Sequence, residues 1–345
     1  MAKKKRLNQG QLRRMRVNAQ KRLHSEISYE WNDEQLGKSE DGVVISRFGQ
    51  HVDIQSEHGE IFRCNIRRTV DSLVTGDEVL WRRGQESHSG IKGVVEAVQS
   101  RRSELSRPDY YDGLKTIAAN IDQVIIVSAL KPDFSSDMID RYLVAIENSH
   151  LKPVILLNKI DLLDDTLRPQ ISSILEQYQS LGYQTLYASS KTEHGLDALN
   201  EQLRGQTSIF VGQSGVGKSS LVNMLLPQVC AQTQEVSDNS GLGQHTTTAA
   251  RLYPLADGGR LIDSPGIREF SLWHLECDEV TYGFRELRQL QGHCKFRDCK
   301  HQNDPGCAFV EAVKKGDVSQ WRYQSYLRIL QSMIEKRPAR HIPPR

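Results

Sequence analysis

The sequence contains no long hydrophobic run. Its longest apolar runs, such as Val124–Val127, are far shorter than the roughly 18 residues that typify a membrane-spanning helix. The N-terminal segment lacks the apolar core of a secretory signal, and its Arg-rich composition favours an organellar transit peptide only weakly. We therefore expect a cytoplasmic protein without a membrane segment.

Acidic residues are missing from the first 22 positions. Nine basic residues lie there: Lys3, Lys4, Lys5, Arg6, Arg13, Arg14, Arg16, Lys21 and Arg22. Because like charges repel and little apolar surface is available to bury, we predict a disordered basic arm over residues 1–34 that suits nucleic acid. A tail that only improves solubility is the alternative. The last residues, 338–345, are also predicted to be disordered.

Cysteine is scarce, and three of the six cysteines are scattered along the chain. Cys64, Cys230 and Cys277 are expected to be inert thiols in a reducing compartment. The other three surround a histidine in the pattern C-x4-C-x-H-x5-C, formed by Cys294, Cys299, His301 and Cys307. Three thiolates and one imidazole occupy all four coordination positions of a tetrahedral zinc ion and leave none for water. We therefore predict a structural zinc site. A disulfide, or His293 as a replacement ligand, is the alternative.

A chain of 345 residues is too long for a single core, and its N-terminal part has the pattern of a small β-barrel. Short alternating segments from Gly42 to Val98 are separated by turn signals, which predicts about five strands and an OB-fold over residues 35–105. The open face of an OB-fold binds oligonucleotides. Phe62 and Trp81 either stack bases there or fill the barrel core, and the core is favoured. The polar segment Arg101–Gly113 is predicted to be a linker.

Predicted strands alternate with predicted helices over residues 114–272. The strands are Gln123–Leu130, Pro153–Lys159, Thr185–Ser190 and Ile209–Val211, and the helices lie near Met138–Asn148, Gln170–Leu181 and Leu196–Leu203. This alternation predicts a mostly parallel sheet with helices on both faces, and hence an α/β fold class. Ligands of such sheets bind at the carboxyl ends of the strands.

A phosphate-binding loop follows the strand Ile209–Val211. It reads GQSGVGKS and leads into a new apolar pattern at Leu221. Backbone N–H groups at a helix N-terminus wrap a triphosphate, with Lys218 between the β- and γ-phosphates and Ser219 on Mg²⁺. A Gly/Ser-rich turn that binds nothing is the alternative. The predicted nucleotide-binding residues here are Gly212, Gln213, Ser214, Gly215, Val216, Gly217, Lys218, Ser219 and Ser220.

Two segments at predicted strand ends favour guanine as the base. The first is the sequence NKID, formed by Asn158, Lys159, Ile160 and Asp161. A carboxylate at Asp161 can accept hydrogen bonds from guanine N1–H and the 2-amino group, a pair of donors that adenine lacks. The second segment, Ser189, Ser190 and Lys191, is placed to contact the base, although these three residues alone would indicate only a loop.

Two segments after the phosphate-binding loop have the pattern of a nucleotide switch. Asp263 begins the sequence DSPG and is predicted to hold Mg²⁺ through water, while the Gly266 N–H reaches the γ-phosphate. Thr247, in the stretch GLGQHTTT, is predicted to complete the Mg²⁺ shell only when the γ-phosphate is present. For that stretch an ordinary polar loop is the alternative.

The order of the motifs is permuted, because NKID and SSK precede the phosphate-binding loop instead of following DSPG. A circular permutation joins the original N- and C-termini of a domain and opens the chain at another position. The neighbours of each strand in the sheet stay the same. The segment after Gly266 now leads directly into a zinc module over residues 273–337. Its terminal helix is expected to pack on that module rather than to act as a separate binding helix. Tyr323, Leu327, Leu330 and Ile334 share one helical face, with Arg322 elsewhere.

This order of motifs, between a barrel and a Cys/His cluster, resembles the RsgA (YjeQ) family of circularly permuted GTPases over about residues 35–335. The resemblance implies a bacterial factor that acts late in maturation of the small ribosomal subunit, with a slow GTPase stimulated by that subunit. It also implies that the barrel and the zinc module contact ribosomal RNA. Ile267 stands where Ras-like GTPases have a water-orienting glutamine, and the resemblance implies that His245 replaces it. The predicted catalytic residues are therefore His245, Lys218 and Thr247, and a solvated loop position is the alternative for His245.

Two functional hypotheses remain. The first is a GTP hydrolase that acts in small-subunit assembly, with GTP or GDP, Mg²⁺ and one structural Zn²⁺ as ligands. It is expected to be a monomer whose partners are the small ribosomal subunit and its rRNA. The second is an RNA-binding assembly scaffold that uses GTP as a ligand with incidental turnover. Ile267 is compatible with both.

Overall fold

The computed structural model describes residues 31–70, 72–88, 90–109, 113–227, 250–263, 272, 274–302 and 304–336. Most of the basic arm and the tail 338–345 lie outside this part of the chain. Within the described residues, no helix is both long and apolar enough to cross a membrane. The domain boundaries given above stay predictions.

Five strands close into the N-terminal barrel. They are β1 (Leu36–Phe48), β2 (His51–Ser56), β3 (Ile61–Ile66), β4 (Glu78–His88) and β5 (Ile91–Val98). They pair in the order β1-β2-β3-β5-β4, and β4 pairs again with β1, which closes the ring. Apolar residues such as Val44, Val52 and Ile54 are fully buried inside. The predicted OB-like barrel is confirmed.

Phe62 and Trp81 belong to the core of this barrel. They are 4% and 0% exposed, and their rings stack with centroids 4.9 Å apart. Since neither ring reaches solvent, base stacking by these two residues is wrong and the core interpretation is right.

The end of the predicted arm also belongs to the barrel. Trp31 is buried with Leu36 and Val94, and its ring lies so close to Gly84 that a Cβ there would come within 2.1 Å of it. A 3-10 turn, Asp33–Gln35, then leads into β1. The prediction of disorder is therefore wrong for residues 31–34, because Trp31 supplies the apolar surface that the rest of the arm lacks.

The predicted linker is instead part of a β-hairpin. β6 (Glu104–Asp109) pairs antiparallel with β7 (Gly113–Ala119). The base of the hairpin is anchored in the core, because Leu105, Ala118 and Ala119 are 0% exposed. With so few buried positions, the sequence shows no alternation of apolar and polar residues here. The sequence analysis therefore does not identify these strands.

The central α/β unit has a parallel sheet with one antiparallel strand. Its strands are β8 (Gln123–Ala129), β9 (Lys152–Asn158), β10 (Gln184–Tyr187), β11 (Thr207–Val211), β12 (Arg251–Pro254) and β13 (Arg260–Asp263). Its helices are α1 (Ser136–Asn148), α2 (Arg168–Ser180), α3 (Leu196–Leu203) and α4 (Lys218–Leu225). The order is β10-β9-β8-β11-β13-β12, in which only β12 is antiparallel to its neighbour. The predicted α/β class is confirmed, and β12 is a strand that the sequence analysis missed.

The barrel and the α/β unit share one 11-stranded sheet, because β1 pairs with β12. The pairing is a single position, Ser46 opposite Arg251. Two buried hydroxyls reinforce it, since Ser46 Oγ and Thr75 Oγ1 both donate to the Ala250 carbonyl, at 3.0 and 2.9 Å. This contact ties the barrel to the strand beside β13.

In the described residues from 274 to 336, the C-terminal module has four helices: α5 (Cys277–Tyr282), α6 (Arg285–Arg288), α7 (Ala308–Lys315) and α8 (Gln320–Lys336). Their apolar residues, such as Phe284, Phe309 and Tyr326, belong to the same hydrophobic core as the sheet residues and α1. The module therefore packs on one face of the α/β unit and shares its core.

The buried face of α8 differs from the predicted one. Leu327 and Leu330 are only half-buried, whereas Arg322, Tyr326 and Ile329 are at most 1% exposed. Arg322 lies outside the predicted face, and its burial depends on carboxylates of other helices, Asp140 and Glu286, which the pattern of α8 does not show. The helix packs on its own module, as expected, and in addition on α1 of the α/β unit, which was not expected.

Candidate nucleotide-binding site and metal centre

The phosphate-binding loop connects β11, whose five residues are all buried, to α4. Two of its glycines are required by their surroundings. A Cβ on Gly212 would lie 2.2 Å from the Val127 carbonyl oxygen, and one on Gly217 would lie 2.3 Å from Asn158 Nδ2. Both also have positive φ angles, of 146° and 95°. The loop thus packs on the ends of two neighbouring strands with no room for side chains.

Lys218 begins α4, and its ammonium lies in the hollow of this loop. The Nζ atom donates to the carbonyls of Gly212 and Gln213, at 2.6 and 2.7 Å. Ser219 and Ser220 follow in the first helical turn and are exposed, as are Ser214 and Gly215. The arrangement presents a cation, two hydroxyls and a helix N-terminus on one side, which suits an anionic ligand.

The NKID segment contacts the phosphate-binding loop directly. Asn158 ends β9, is fully buried, and donates from Nδ2 to the Val216 carbonyl at 2.9 Å. Lys159 has a left-handed backbone, with φ of 60°, and its Nζ donates to the Gly215 carbonyl at 2.6 Å. These bonds bring the two sequence motifs to one edge of the sheet.

Asp161 and Ser189 are paired beside that edge. The Ser189 hydroxyl donates to Asp161 Oδ1 at 2.6 Å, while Ser189 Oγ accepts from the backbone N–H groups of Lys191 and Thr192, each at 3.2 Å. Ile160 is held by a bond from its N–H to the Ala188 carbonyl at 3.3 Å. Asp161 itself is exposed, so its carboxylate is fixed in direction yet open to a ligand. Ser190 is half-buried and Lys191 exposed.

Asp263 ends β13 close to Lys218. Burial raises the pKa of the Asp263 carboxyl, and the Lys218 charge lowers it in part. Of the remaining predicted site residues, His245, Thr247 and Gly266 lie outside the described residues, and so does Ile267. Their roles stay predictions.

One wall of this site was missed by the sequence analysis. The loop between β8 and α1 places the Lys131 carbonyl 2.8 Å from Lys159 Nζ, and Pro132 Cδ lies 3.4 Å from the position of a Cβ on Gly215. The contact is made by a backbone carbonyl, which any residue type supplies, so the sequence carries no signal for it.

The four Cys/His side chains of the C-terminal module form a compact cluster. Their ligand atoms, from Cys294, Cys299, His301 and Cys307, all lie within 4.8 Å of one another. His301 Nδ1 is 3.4 to 3.6 Å from each sulfur, which is about the edge of a tetrahedron with bonds of roughly 2.0–2.3 Å. The donor set and spacing therefore fit a zinc ion. The cysteines are free thiols, and His293 is exposed and outside the cluster, so neither alternative is supported.

Neighbouring groups hold the ligands in place. The His301 ring stacks on Phe309 with centroids 4.0 Å apart, and the Ala308 N–H donates to Cys294 Sγ at 3.4 Å. The Tyr323 hydroxyl donates to the carbonyls of His301 and Gln302. Fixing both the ring and the loop in this way is typical of a structural metal site.

Comparison with known proteins decides the family. The family model of the RsgA GTPase matches residues 98–273. A relative from Vibrio parahaemolyticus, named small ribosomal subunit biogenesis GTPase RsgA 1, is 57% identical over 99% of this chain and 97% of its own length. The chain belongs to the RsgA GTPase family. A Haemophilus influenzae member of the family, named small ribosomal subunit biogenesis GTPase RsgA, is 54% identical over 99% of both chains.

Solved structures agree with this assignment. The crystal structure of YjeQ from Thermotoga maritima matches with a TM-score of 0.69 and 32% identity, over 87% of this chain and all of that one. YloQ, described as a circularly permuted GTPase, matches with a TM-score of 0.68 and 26% identity, over 90% of this chain. The chain is therefore a circularly permuted GTPase, as the motif order predicted, and the family implies a guanine nucleotide and Mg²⁺.

Proposed function

We propose that this chain hydrolyses GTP as a late maturation factor of the small ribosomal subunit. The observation that carries the proposal is the contact of Asn158 and Lys159 with the phosphate-binding loop. This contact supports the proposal because it brings the segment that contains Asp161 beside the loop from Gly212 to Ser220, at one edge of the sheet. Relatives named small ribosomal subunit biogenesis GTPase match 99% of the chain, which supports the proposal.

Guanine recognition is assigned to Asp161, with Ser189 as its support. The bond from Ser189 fixes one carboxylate oxygen, and the exposed carboxylate then meets the N1–H and 2-amino donors of the base. Ser190 and Lys191 flank the base on the same loop. Adenine has no matching donors, so it would leave a charged acceptor poorly paired.

Phosphate binding is assigned to the residues from Gly212 to Ser220. The Lys218 ammonium lies within the loop, where it donates to the carbonyls of Gly212 and Gln213. In the complex its ammonium turns to the β- and γ-phosphates, and the loop N–H groups cover the remaining oxygens. When bound, Mg²⁺ neutralises phosphate charge, and the residues that would hold it are Ser219, Thr247 and, through water, Asp263.

Hydrolysis requires a positioned water, for which Ile267 offers no polar group. We assign that role to His245, whose imidazole would accept a hydrogen bond from the attacking water when the protein is bound to the subunit. Gly266 would donate its N–H to the γ-phosphate. Turnover of the free protein should accordingly be slow.

The outer modules are proposed to bind rRNA. The barrel and the basic arm supply the electrostatic part of binding, and a zinc ion held by Cys294, Cys299, His301 and Cys307 stabilises the C-terminal module. The protein would work as a monomer in the cytoplasm, where small subunits mature.

The deciding experiment measures GTP hydrolysis at saturating GTP with and without small ribosomal subunits. Stimulation by orders of magnitude is expected. Equal turnover in both conditions would instead favour an RNA-binding scaffold for which GTP is only a ligand.

A further inference from the structure

Helix α1 is bonded to the C-terminal module along its whole length. At its first turn, Asp137 accepts two hydrogen bonds from Arg328 on α8, at 2.5 and 2.9 Å. Further along, Asp140 meets Arg322, and Arg141 donates to Ser332 Oγ at 2.8 Å. Near its C-terminus, Glu147 accepts from Arg285 and Arg288, at 2.7 and 2.9 Å. Three of these contacts, at Asp137, Asp140 and Arg141, connect α1 to α8.

The other end of this connection is the nucleotide site. The loop that precedes α1 supplies the Lys131 carbonyl, and Lys159 Nζ bridges that carbonyl to the carbonyl of Gly215 in the phosphate-binding loop. Ser135 caps α1 by accepting from the Met138 N–H at 3.4 Å, so the loop and the first helical turn are joined. Asp137 lies within that capped turn, six residues from Lys131.

We propose that Arg328 and Asp137 form a positioning pair that sets how tightly the nucleotide site holds guanine nucleotide. By fixing the first turn of α1, the pair fixes the Lys131 carbonyl and with it the orientation of Lys159. Through this pair, a partner that shifts α8 would change nucleotide release. The inference rests on the proposed role of Lys159 and its neighbours in nucleotide binding.

Arg328 is the informative position because both partners are partly exposed, with side-chain exposures of 51% and 39%. An exposed pair contributes little to folding, so its loss leaves the module intact. A variant of Arg322 would not separate an effect on nucleotide release from an effect on folding. Its partners Asp140 and Glu286 are buried, so its removal would destabilise the fold.

The test measures the dissociation rate of a fluorescent GDP from the full-length chain. Arg328→Glu places like charges together and should speed release by about threefold, a size set by the weakness of exposed pairs. Asp137→Arg should do the same, and the exchanged variant with Asp137→Arg and Arg328→Asp should return most of the way to the parent rate. Single-turnover hydrolysis of bound GTP should stay at the parent rate, because the connection reaches the site through Lys159 and not through Lys218 or Ser219.

Lys314→Glu is the matched control. It breaks an exposed pair with Glu311, 3.0 Å apart, in the same module, and it should not change GDP release. Parent-like release from Arg328→Glu, with thermal unfolding also unchanged, would overturn the proposal. An exchanged variant no slower than the single variants would overturn it too. If the parent itself binds no guanine nucleotide in this assay, the proposed function is wrong. That outcome differs from failure of the Arg328–Asp137 proposal, in which the parent binds GDP but the variants release it at the parent rate.

Discussion

At the scale of single residues, the site depends on side chains that are locked by neighbours from other motifs. Asn158 and Lys159 bond to carbonyls of the phosphate-binding loop, and Ser189 orients Asp161. A carboxylate that a neighbouring hydroxyl already holds in one direction loses less entropy when a ligand binds.

Asp161→Asn should weaken GTP binding and allow xanthosine triphosphate to bind. Xanthine has a carbonyl where guanine has the 2-amino group, and an amide can donate to it. Loss of the charged acceptor should cost about 1.5–3 kcal/mol of GTP binding free energy, measured by titration calorimetry. Asp164→Asn is the control, because it removes a charge from the same loop and keeps the oxygen that caps the turn before α2. Unchanged GTP affinity in Asp161→Asn would disprove the assignment of the base-reading residue.

His245→Ala should nearly abolish subunit-stimulated turnover while preserving binding of GTP and of the subunit. The reason is that a positioned general base or water-orienting group contributes about 10²- to 10⁴-fold in rate. The variant should stay on the subunit in its GTP form, which co-sedimentation with labelled GTP measures. Lys218→Ala is the contrasting variant, since it should weaken nucleotide binding itself. Near-normal stimulated turnover in His245→Ala would leave water positioning to the RNA.

At the scale of elements, α8 is held to α1 by a buried charge cluster. Arg322, Asp140 and Glu286 are 1%, 0% and 5% exposed in their side chains. Burial raises the pKa of Asp140, and the Arg322 charge and the hydrogen bond from the Tyr178 hydroxyl oppose that shift. Each charge is therefore tolerated only because the others are present.

Arg322→Met should destabilise the protein by about 3–5 kcal/mol, because it leaves two buried carboxylates without a counter-charge. Urea unfolding followed by tryptophan fluorescence measures the loss. Replacing Asp140 and Glu286 by Leu in the same chain should recover much of it, since apolar groups need no partner. Arg328→Gln, at an exposed pair on the same helix, should cost no more than about 1 kcal/mol. A similar cost for both arginine variants would contradict the role of burial.

Cys299→Ala should release zinc and loosen the segment from residue 294 to residue 307. Three ligands bind zinc less tightly than four, and the metal supplies much of the folding free energy of such loops. GTP affinity should change little, because the contacts of the cluster run to Phe309 and Tyr323 within the module. Metal analysis and hydrogen exchange give the two readouts, with Cys277→Ala as a control at an exposed, separate thiol. A parent protein without zinc would refute the metal assignment.

These elements also show where sequence patterns are sufficient and where they fail. The phosphate-binding loop, NKID and the Cys/His cluster were located correctly in the fold because each depends on residue types at fixed short spacing. The hairpin β6–β7, the role of the Lys131 carbonyl and the burial of Arg322 were not predicted. The hairpin has too few buried positions to show an alternating pattern, whereas the other two features depend on partners distant in sequence, such as Asp140 for Arg322, 182 residues away.

At the scale of the whole molecule, both outer modules are joined to the central α/β unit. The C-terminal module shares the core of that unit, and the barrel contributes Ile45 to the same core. The barrel also meets the unit where β1 pairs with β12, where two hydroxyls donate to the Ala250 carbonyl, and where the Ala119 N–H donates to the Thr75 carbonyl at 3.0 Å. The α/β unit is therefore connected to a module on each side.

Binding to the subunit should weaken steeply with salt, because contacts of basic side chains with phosphates release counterions. Deleting residues 1–22 removes nine basic groups and should flatten the slope of log affinity against log salt. GTP hydrolysis by the free protein should not change. A control variant keeps the full length of the arm but has its Lys and Arg residues replaced by Ser. It separates the effect of charge from the effect of length on the salt dependence. An unaltered slope after deletion would make the arm a solubilising tail.

The position of β11 in the sheet has a consequence for synthesis of the chain. β11 lies between β8 and β13, yet β8, β9 and β10 all leave the ribosome before it. About 50 residues separate the end of β9 at Asn158 from the start of β11 at Thr207, which at roughly 5–20 residues per second takes about 2 to 10 s. Throughout that interval the nascent chain carries the NKID segment but no phosphate-binding loop, and the inner edge of β8 has no partner strand. Bound GTP therefore cannot assist the folding of the first three strands, which must rely on α1 and α2 for cover until the central strand arrives.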